Sequence, residues 1–398
     1  MTGVGGASPG PAPTPVEVRG RGPSGWVALG LFAAALVALV GLSLVGQSGG
    51  RPGSQAAVAT PTATPTATSS PTAPPAPPPG TPPPRVAVAV GPVPTCPPGS
   101  TPDTPGPVAQ ARPPFSPWAS AFDRRAGRVV LVAPITPDDG PGVATWTFDV
   151  CTNTWTRMHP NREPPTLWAR LVYDVDSDVT LLVSSRSVWA YDLRANTWTE
   201  KGAATTASLQ AYDPVSGFVV AGRPGPTTLV NYDVETDTWT PIHQANAPEE
   251  HGVIAYDASV DGVVAYNGYN AGHETWLLDI RTGNWSKSQV VAPHVLDWLT
   301  FPAIAYDEAA KRTVIGGNVR LAAYDATADR WETVEFPDPD AWHGVSIVYD
   351  PVNDRLVVLP DSWESWSDGT SAGVVAIDLV TREWTVLLEP GLGQSTPP

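Results

Sequence analysis

The feature that most constrains the fold is an aspartate that stands six residues before a tryptophan, six times along the chain of 398 residues. The pairs are Asp149/Trp155, Asp192/Trp198, Asp233/Trp239, Asp279/Trp285, Asp325/Trp331 and Asp378/Trp384. Successive tryptophans of this set are 41 to 53 residues apart. A motif that returns at a period of about this size is typical of a fold built from repeated supersecondary units.

A related motif precedes each pair: an apolar strand that ends in Asp, a short turn and a valine-rich strand. Its aspartates are Asp123, Asp174, Asp213, Asp257, Asp307 and Asp350. An Asp carboxylate can accept the backbone N–H groups of the next residues and close a tight turn. Four residues after both kinds of Asp stand mostly Asn, Asp or Gly, which tolerate the left-handed backbone of such a turn. Each repeat is therefore predicted to contain two hairpins, or four strands.

Six four-stranded sheets in radial repetition predict an all-β fold, a six-bladed β-propeller over residues 115–390. The repeated Trp, two residues beyond its turn, offers a large apolar plate to the neighbouring sheet. All four strands of a blade come from one repeat, so closing the ring needs no borrowed strand. We expect the run Val86–Val90 to be the segment that could cover the edge between blades six and one.

The aromatic-Asp…Asn-Thr-Trp-Thr pattern, as in AYDLRANTWT, resembles the kelch-repeat family over roughly residues 113–390. Gly316-Gly317 supplies the Gly-Gly doublet that such blades usually carry, and most other blades lack it, so the resemblance is to a divergent, bacterial-type kelch domain. The resemblance implies a galactose oxidase-like fold. Galactose oxidase itself carries copper beside a Cys-crosslinked Tyr. Neither Cys96 nor Cys151 is placed to supply that crosslink, so the implied likeness is one of fold alone.

The N-terminal part has a different composition, because 27 of the 47 prolines lie in the first 117 residues. We predict a cytoplasmic tail (1–25), a transmembrane helix (26–46), a disordered Pro/Thr/Ala-rich stalk (47–114) and, after the propeller, a flexible C-terminal tail (391–398). The helix prediction rests on 20 uncharged residues from Trp26, enough to cross a bilayer. The alternative is a cleaved signal peptide, whose apolar region is usually shorter.

Charge and cysteine usage bear on the compartment and on the partners. Arg19 and Arg21 precede the apolar segment, which favours a single-pass membrane protein with its N-terminus in the cytoplasm and its propeller outside. Cys96 and Cys151 both lie beyond that segment. In an exported domain such a pair predicts a disulfide, and two unpaired buried thiols are the alternative. The net charge of −16 repels phosphate backbones, so we do not expect a nucleic-acid partner.

The two ends of a propeller of this kind differ in the loops that they carry. Both hairpin turns of each blade lie at one end, the turn face; the links between blades and between second and third strands lie at the other, the loop face. Long loops near 287–300, 333–343 and 360–372 fall on the loop face, where binding residues are usual. For an acidic ligand, Arg223 and Arg320 are candidate cations there. The predicted ligand-binding residues are Trp168, His251, His273, Trp298, Trp342, His343, Trp363 and Trp366.

Two other interpretations bear on these residues. The loop face simply contains more loop, which by itself collects polar side chains. Asp174–Asp178 resembles the start of a calcium loop but lacks its Gly and distal Glu, so no metal site is predicted. No nucleophile elbow, phosphate-binding loop or zinc-protease motif is present in the sequence, and no cofactor is predicted.

The sequence therefore predicts a membrane-anchored, extracytoplasmic kelch-like propeller that binds a glycan or a protein of the cell envelope. One alternative is an extracellular carbohydrate-active enzyme, epimerase-like, on the same scaffold. Another is a structural or assembly partner of a membrane complex. An arginine- and carboxylate-lined central pocket would favour the enzyme, and a flat aromatic face would favour binding.

Overall fold

The computed structural model describes residues 92–113, 119–134, 143–165, 169–184, 186–203, 209–222, 229–249, 252–268, 272–296, 302–317, 320–336, 345–360, 370–371 and 373–392. The predicted cytoplasmic tail, transmembrane helix and Val86–Val90 lie outside these residues, as does most of the predicted stalk. Within the described part of the chain, no helix is long and apolar enough to cross a membrane. The helical content there is one 3₁₀ turn at His294–Leu296.

The described strands form six four-stranded antiparallel sheets, so the six-bladed propeller is confirmed. Blades 1 and 2 contain β1 (Ala119–Asp123), β2 (Arg128–Pro134), β3 (Val143–Asp149), β4 (Thr154–Arg157), β5 (Ala169–Asp174), β6 (Val179–Ser184), β7 (Val188–Asp192) and β8 (Thr197–Glu200). Blades 3 and 4 contain β9 (Leu209–Asp213), β10 (Phe218–Gly222), β11 (Val230–Asp233), β12 (Thr238–Pro241), β13 (Val253–Asp257), β14 (Gly262–Asn267), β15 (Glu274–Asp279) and β16 (Asn284–Lys287).

The last two blades follow the same order with one addition. Blade 5 contains β17 (Ala303–Asp307), β18 (Arg312–Gly317), β19 (Arg320–Asp325) and β20 (Arg330–Val334). Blade 6 contains β21 (Val345–Asp350), β22 (Arg355–Pro360), β24 (Val374–Asp378) and β25 (Glu383–Leu388). The addition is a two-stranded ribbon beside blade 6, in which β23 (Thr370–Ser371) pairs with β26 (Gly391–Leu392). The ribbon uses the first two residues of the predicted C-terminal tail.

The twelve hairpin turns follow the predicted chemistry. In every one, Oδ1 of the motif Asp accepts a backbone N–H from two or three residues further on. The residue four positions after that Asp has a positive φ, between 46° and 73°, in all twelve turns. Lys311 and Arg382 adopt this left-handed backbone as well, although long side chains rarely do. The turn therefore imposes its geometry on whichever residue occupies the position.

The six repeated tryptophans hold neighbouring blades together, as the sequence predicts. Trp198 of blade 2 packs against blade 1, where its indole Nε1 donates a 2.8 Å hydrogen bond to Oγ1 of Thr145. Trp384 of blade 6 packs in the same way on blade 5. Within four blades, the Trp lies beside an aromatic residue of the preceding strand, as in Tyr191 and Trp198, whose ring centroids are 4.8 Å apart. The core is therefore a ring of apolar layers between sheets.

The first strands of the blades surround a central channel. Each contacts the first strand of the next blade, and β21 contacts β1, so the ring is closed. These inner strands begin at the loop face and end at the turn face, where each finishes in its motif Asp. All four strands of each blade come from one repeat, and closure borrows no strand from elsewhere in the described chain.

Residues 92–113, which we name the N-terminal strap, lie across the seam between blades 6 and 1. The predicted disulfide is confirmed: Cys96 and Cys151 are joined, which ties the strap to the β3–β4 turn of blade 1. The side-chain amide of Asn153 donates to the carbonyls of Pro102 and Thr104 at 2.8 Å each. The N–H of Gly106 donates to the carbonyl of Leu387 in blade 6 at 2.8 Å. The strap therefore contacts both sides of the closure.

Candidate ligand site in the central channel

The structure describes one of the eight predicted binding residues. His273 lies in the link between β14 and β15, is half-buried, and has a φ of 57°. Its ring Nδ1 is 3.1 Å from the hydroxyl of Tyr266. The other seven, which lie outside the described residues, stay predictions: Trp168, His251, Trp298, Trp342, His343, Trp363 and Trp366. Among the described residues, no group of three or more His, Cys, Asp or Glu is placed to hold a metal ion.

A cavity lies in the central channel at the end where the inner strands begin, which is the loop-face end. Two residues from each of the six inner strands line it, and its volume is about 70 Å³. This space is enough for a few waters or for one small polar group of a ligand. Most of the lining is aliphatic, as at Ile254 and Ile304. The polar lining residues are Ser120, Arg170, Gln210 and Ser346.

Arg170 is the charged residue among these lining side chains. It extends from β5 in blade 2 towards the opposite side of the channel, where its Nη2 donates a 3.3 Å hydrogen bond to the carbonyl of Pro302, directly before blade 5. In the described part of the chain no carboxylate forms an ion pair with it. Burial away from water lowers the pKa of its guanidinium, which keeps the group charged all the same because the ordinary value is so high.

The other polar groups of the cavity are hydroxyls and an amide. Oγ of Ser120 lies 2.5 Å from Oγ of Ser346, so the first and last blades meet through this pair. Gln210 donates from Nε2 to the carbonyl of Val183 at 3.0 Å. Its Oε1 is buried and has no hydrogen-bond partner among the described residues. The cavity therefore combines the Arg170 guanidinium and the serine hydroxyls with one unpaired acceptor, Oε1 of Gln210.

The opposite end of the channel has a different electrostatic arrangement. The inner-strand aspartates are buried there, and two of them accept hydrogen bonds from arginines in the described structure. Arg281 binds Oδ1 and Oδ2 of Asp213 at 3.0 and 2.7 Å, and Nε of Arg355 lies 3.3 Å from Oδ2 of Asp350. Arg124 of blade 1 pairs with Glu308 of blade 5. These arginines each have a carboxylate partner, whereas Arg170 at the loop-face end has none among the described residues.

Arg170, Ser120, Gln210 and Ser346 were not among the binding residues predicted from the sequence. Of the two cations predicted from the sequence, Arg320 is exposed at the start of β19, which is not an inner strand. Arg223 lies outside the described residues and stays a prediction. The sequence nonetheless contains a pattern that points to these four residues. Three or four residues before the first Asp of a repeat, four blades have a polar residue where the other two have aliphatic ones. Aligning the repeats at that Asp would have shown it.

Comparison with known proteins finds solved structures of low sequence identity. No protein-family model matches the chain, and no curated protein matches it. Among solved structures, a structural genomics protein of unknown function from Bacteroides thetaiotaomicron has a TM-score of 0.47 at 13% identity, over 65% of this chain and 72% of that one. An auxiliary nutrient binding protein from the same organism has a TM-score of 0.46 at 11% identity, over 61% and 66%. An oligogalacturonate lyase in complex with manganese has a TM-score of 0.43 at 13% identity, over 73% of this chain and 79% of that one.

Proposed function

We propose that this chain is a binding module of the cell envelope, which takes its ligand at the loop-face end of the central channel. The observation that carries the proposal is the cavity there, lined by all six inner strands and holding donor groups that the protein leaves incompletely paired. A small number of polar groups in a mostly apolar concave site is the usual composition of a ligand site. A rigid ring of sheets also holds such groups in fixed positions.

The predicted loop-face residues extend this proposal outwards from the channel. In the sequence, Trp168 directly precedes β5, Trp298 precedes β17 by five residues, and Trp342 and His343 precede β21 by two to three. Each is therefore linked through a few residues to a strand that lines the cavity. Aromatic side chains near such a cavity would suit a glycan or a protein, because a flat ring contributes a large contact area for each immobilised side chain.

The location of the module is part of the same proposal. We infer a kelch-like propeller outside the cytoplasm, anchored by a helix at 26–46 and separated from the membrane by the stalk. The Cys96–Cys151 disulfide supports an oxidising compartment, since such bonds are rare in the cytosol. The twelve Asp-initiated turns support the kelch likeness. The enzyme and the assembly partner stay alternatives, and the described lining of the cavity contains no carboxylate or histidine to act as a base.

Crosslinking on intact cells that carry the full-length chain, followed by identification of the crosslinked partner, tests the proposal. We expect Ser346→Phe, which fills the cavity, and the combined Trp298→Ala, Trp342→Ala and His343→Ala variant each to abolish the main crosslink. Ser286→Phe is the matched control, because Ser286 is exposed on the outer strand of blade 4. A crosslink that survives both changes at the control's level would show that the loop face does not bind the partner.

A further inference from the structure

We infer that Arg170 binds the carboxylate of a small solute, or the carboxylate end of a larger ligand, inside the central channel. The inference rests on the proposed function and names the chemistry of its site. Most N–H donors of Arg170 are unused: a guanidinium carries five of them, and Arg170 makes one hydrogen bond, at 3.3 Å, in the described structure. Arg170 is half-buried, and a cation partly removed from water without a carboxylate is stabilised when an anion joins it.

The surroundings of Arg170 favour an anion over water as the missing partner. Ser120 and Ser346 share two hydroxyl protons, and the hydrogen bond between them uses one. Both serines line the cavity, so the second proton is available to a group bound there. No acidic side chain lines the cavity in the part of the chain that the structure describes. A negative group placed there meets one full positive charge and a hydroxyl donor, with no carboxylate nearby to repel it.

The charge of the whole chain selects the class of anion. The formal net charge is −16, so an approaching polyanion is repelled over most of the surface. A singly charged group meets the smallest repulsion and still gains the full interaction with Arg170. A carboxylate also matches the planar fork of a guanidinium, which can bind its two oxygens together. The cavity of about 70 Å³ accommodates a group of this size.

The competing explanation is that Arg170 is a structural tie, which joins blade 2 to blade 5 across the channel. The two roles predict different effects of removing the charge. A tie stabilises the ring, so its loss should lower the melting temperature. A ligand-binding cation without its anion carries an uncompensated desolvation cost, so Arg170→Met should melt no lower than the original protein in anion-poor buffer.

The direct test uses acetate and acetamide, which have nearly the same shape and differ in charge. Titrated into the full-length chain at constant ionic strength and followed by calorimetry, acetate should bind at least about tenfold more tightly than acetamide. Arg170→Met should remove that preference. Arg170→Lys keeps the charge without the fork and should weaken acetate binding by about tenfold. The matched control is Arg320→Met, which removes an exposed arginine from the same face and should change nothing.

The outcomes separate this inference from the proposed function. Equal affinity for acetate and acetamide, or acetate binding that survives Arg170→Met, would overturn the inference. Tighter Arg170-dependent binding of sulfate or phosphate than of acetate would show that the ligand class is wrong. If acetate fails to bind while Ser346→Phe still abolishes the cellular crosslink, the binding module stands and the carboxylate is rejected. If acetate binds through Arg170 and the crosslink survives every variant, the anion site stands without its proposed role in the envelope.

Discussion

The turn face and the loop face are the two ends of the same six repeats. At the central channel, they differ in whether their arginines have carboxylate partners. At the turn face, Arg281 and Arg355 hold buried aspartates that end inner strands. At the loop face, Arg170 extends into the channel and donates a hydrogen bond to the backbone carbonyl of Pro302. At the turn-face end of the channel these arginines have carboxylate partners, whereas at the loop-face end Arg170 has none among the described residues. Away from the channel, the loop face has paired cations too, such as Arg157 with Glu163. With the proposed function, stabilising pairs and ligand binding would occupy opposite ends of one channel.

The largest expected effect at the turn face comes from Arg355→Met. Arg355 is 5% exposed and its partner Asp350 is fully buried, so the change leaves a carboxylate without its cation. It also removes hydrogen bonds from Arg355 to the carbonyls of Pro102 in the strap and Val150 in blade 1. We expect the free energy of unfolding to fall by about 3–5 kcal/mol, measured by urea denaturation. A loss as small as that of Arg320→Met, expected within about 0.5 kcal/mol, would contradict this account of the turn face.

The disulfide should have the next largest effect. Cys96 and Cys151 close a loop with a sequence separation of 55, for which the chain-entropy model gives roughly 4 kcal/mol. The double change Cys96→Ser and Cys151→Ser should lower the free energy of unfolding by about 2–4 kcal/mol. Dithiothreitol should destabilise the original protein to the same degree and leave the double variant unaffected. Two free thiols in the denatured, unreduced protein, produced in an oxidising compartment, would show that the bond does not form.

The smallest of the three effects is a gain in stability, from Asp307→Asn in blade 5. Burial raises the pKa of Asp307, and its Oδ2 is buried with no hydrogen-bond partner among the described residues. A raised pKa in the folded state means that stability is greatest below the unfolded pKa and is lost as the pH rises through the folded pKa. At neutral pH the variant avoids that loss and keeps the oxygen that accepts the N–H of Ala310, so we expect it to gain about 1 kcal/mol.

The second Asp of the same blade provides the control for that prediction. Hydrogen bonds from Thr327 and Ala328, together with the charge of Arg312, offset the effect of burial and lower the pKa of Asp325. Its stabilising contribution is therefore present above the unfolded pKa and lost as the pH falls through the folded pKa. Asp325→Asn should destabilise at neutral pH, whereas Asp307→Asn should stabilise. Thermal melts between about pH 3 and pH 7 cover the ordinary carboxyl pKa values. Across this range, the difference in melting temperature between each variant and the original protein should change in opposite directions for Asp307→Asn and Asp325→Asn.

The sequence predicted the features that each repeat determines locally, namely its turns, its strands and its contacts with the next blade. The Asp carboxylate, the left-handed residue four positions later and the Trp beyond it act within ten residues, so their pattern determined turns, strands and blade contacts in advance. The Cys96–Cys151 bond was predictable from a count of two. Arg170 was not found, because its importance depends on its radial position: a polar residue near the start of a strand becomes part of a channel only when six repeats close into a ring.

The N-terminal strap has a mechanical consequence. A chain pulled from a point ahead of residue 96 transmits tension first to the sulfur atoms of Cys96 and Cys151, and from there to the outer hairpin of blade 1. The hydrogen bonds of β1, the first strand of the ring, are bypassed. Tension on the strap therefore does not peel the propeller strand by strand from its N-terminus. A domain held by its leading end against flow is protected in this way while the covalent bond is intact, and reduction of that bond would shift the tension onto the blade seam.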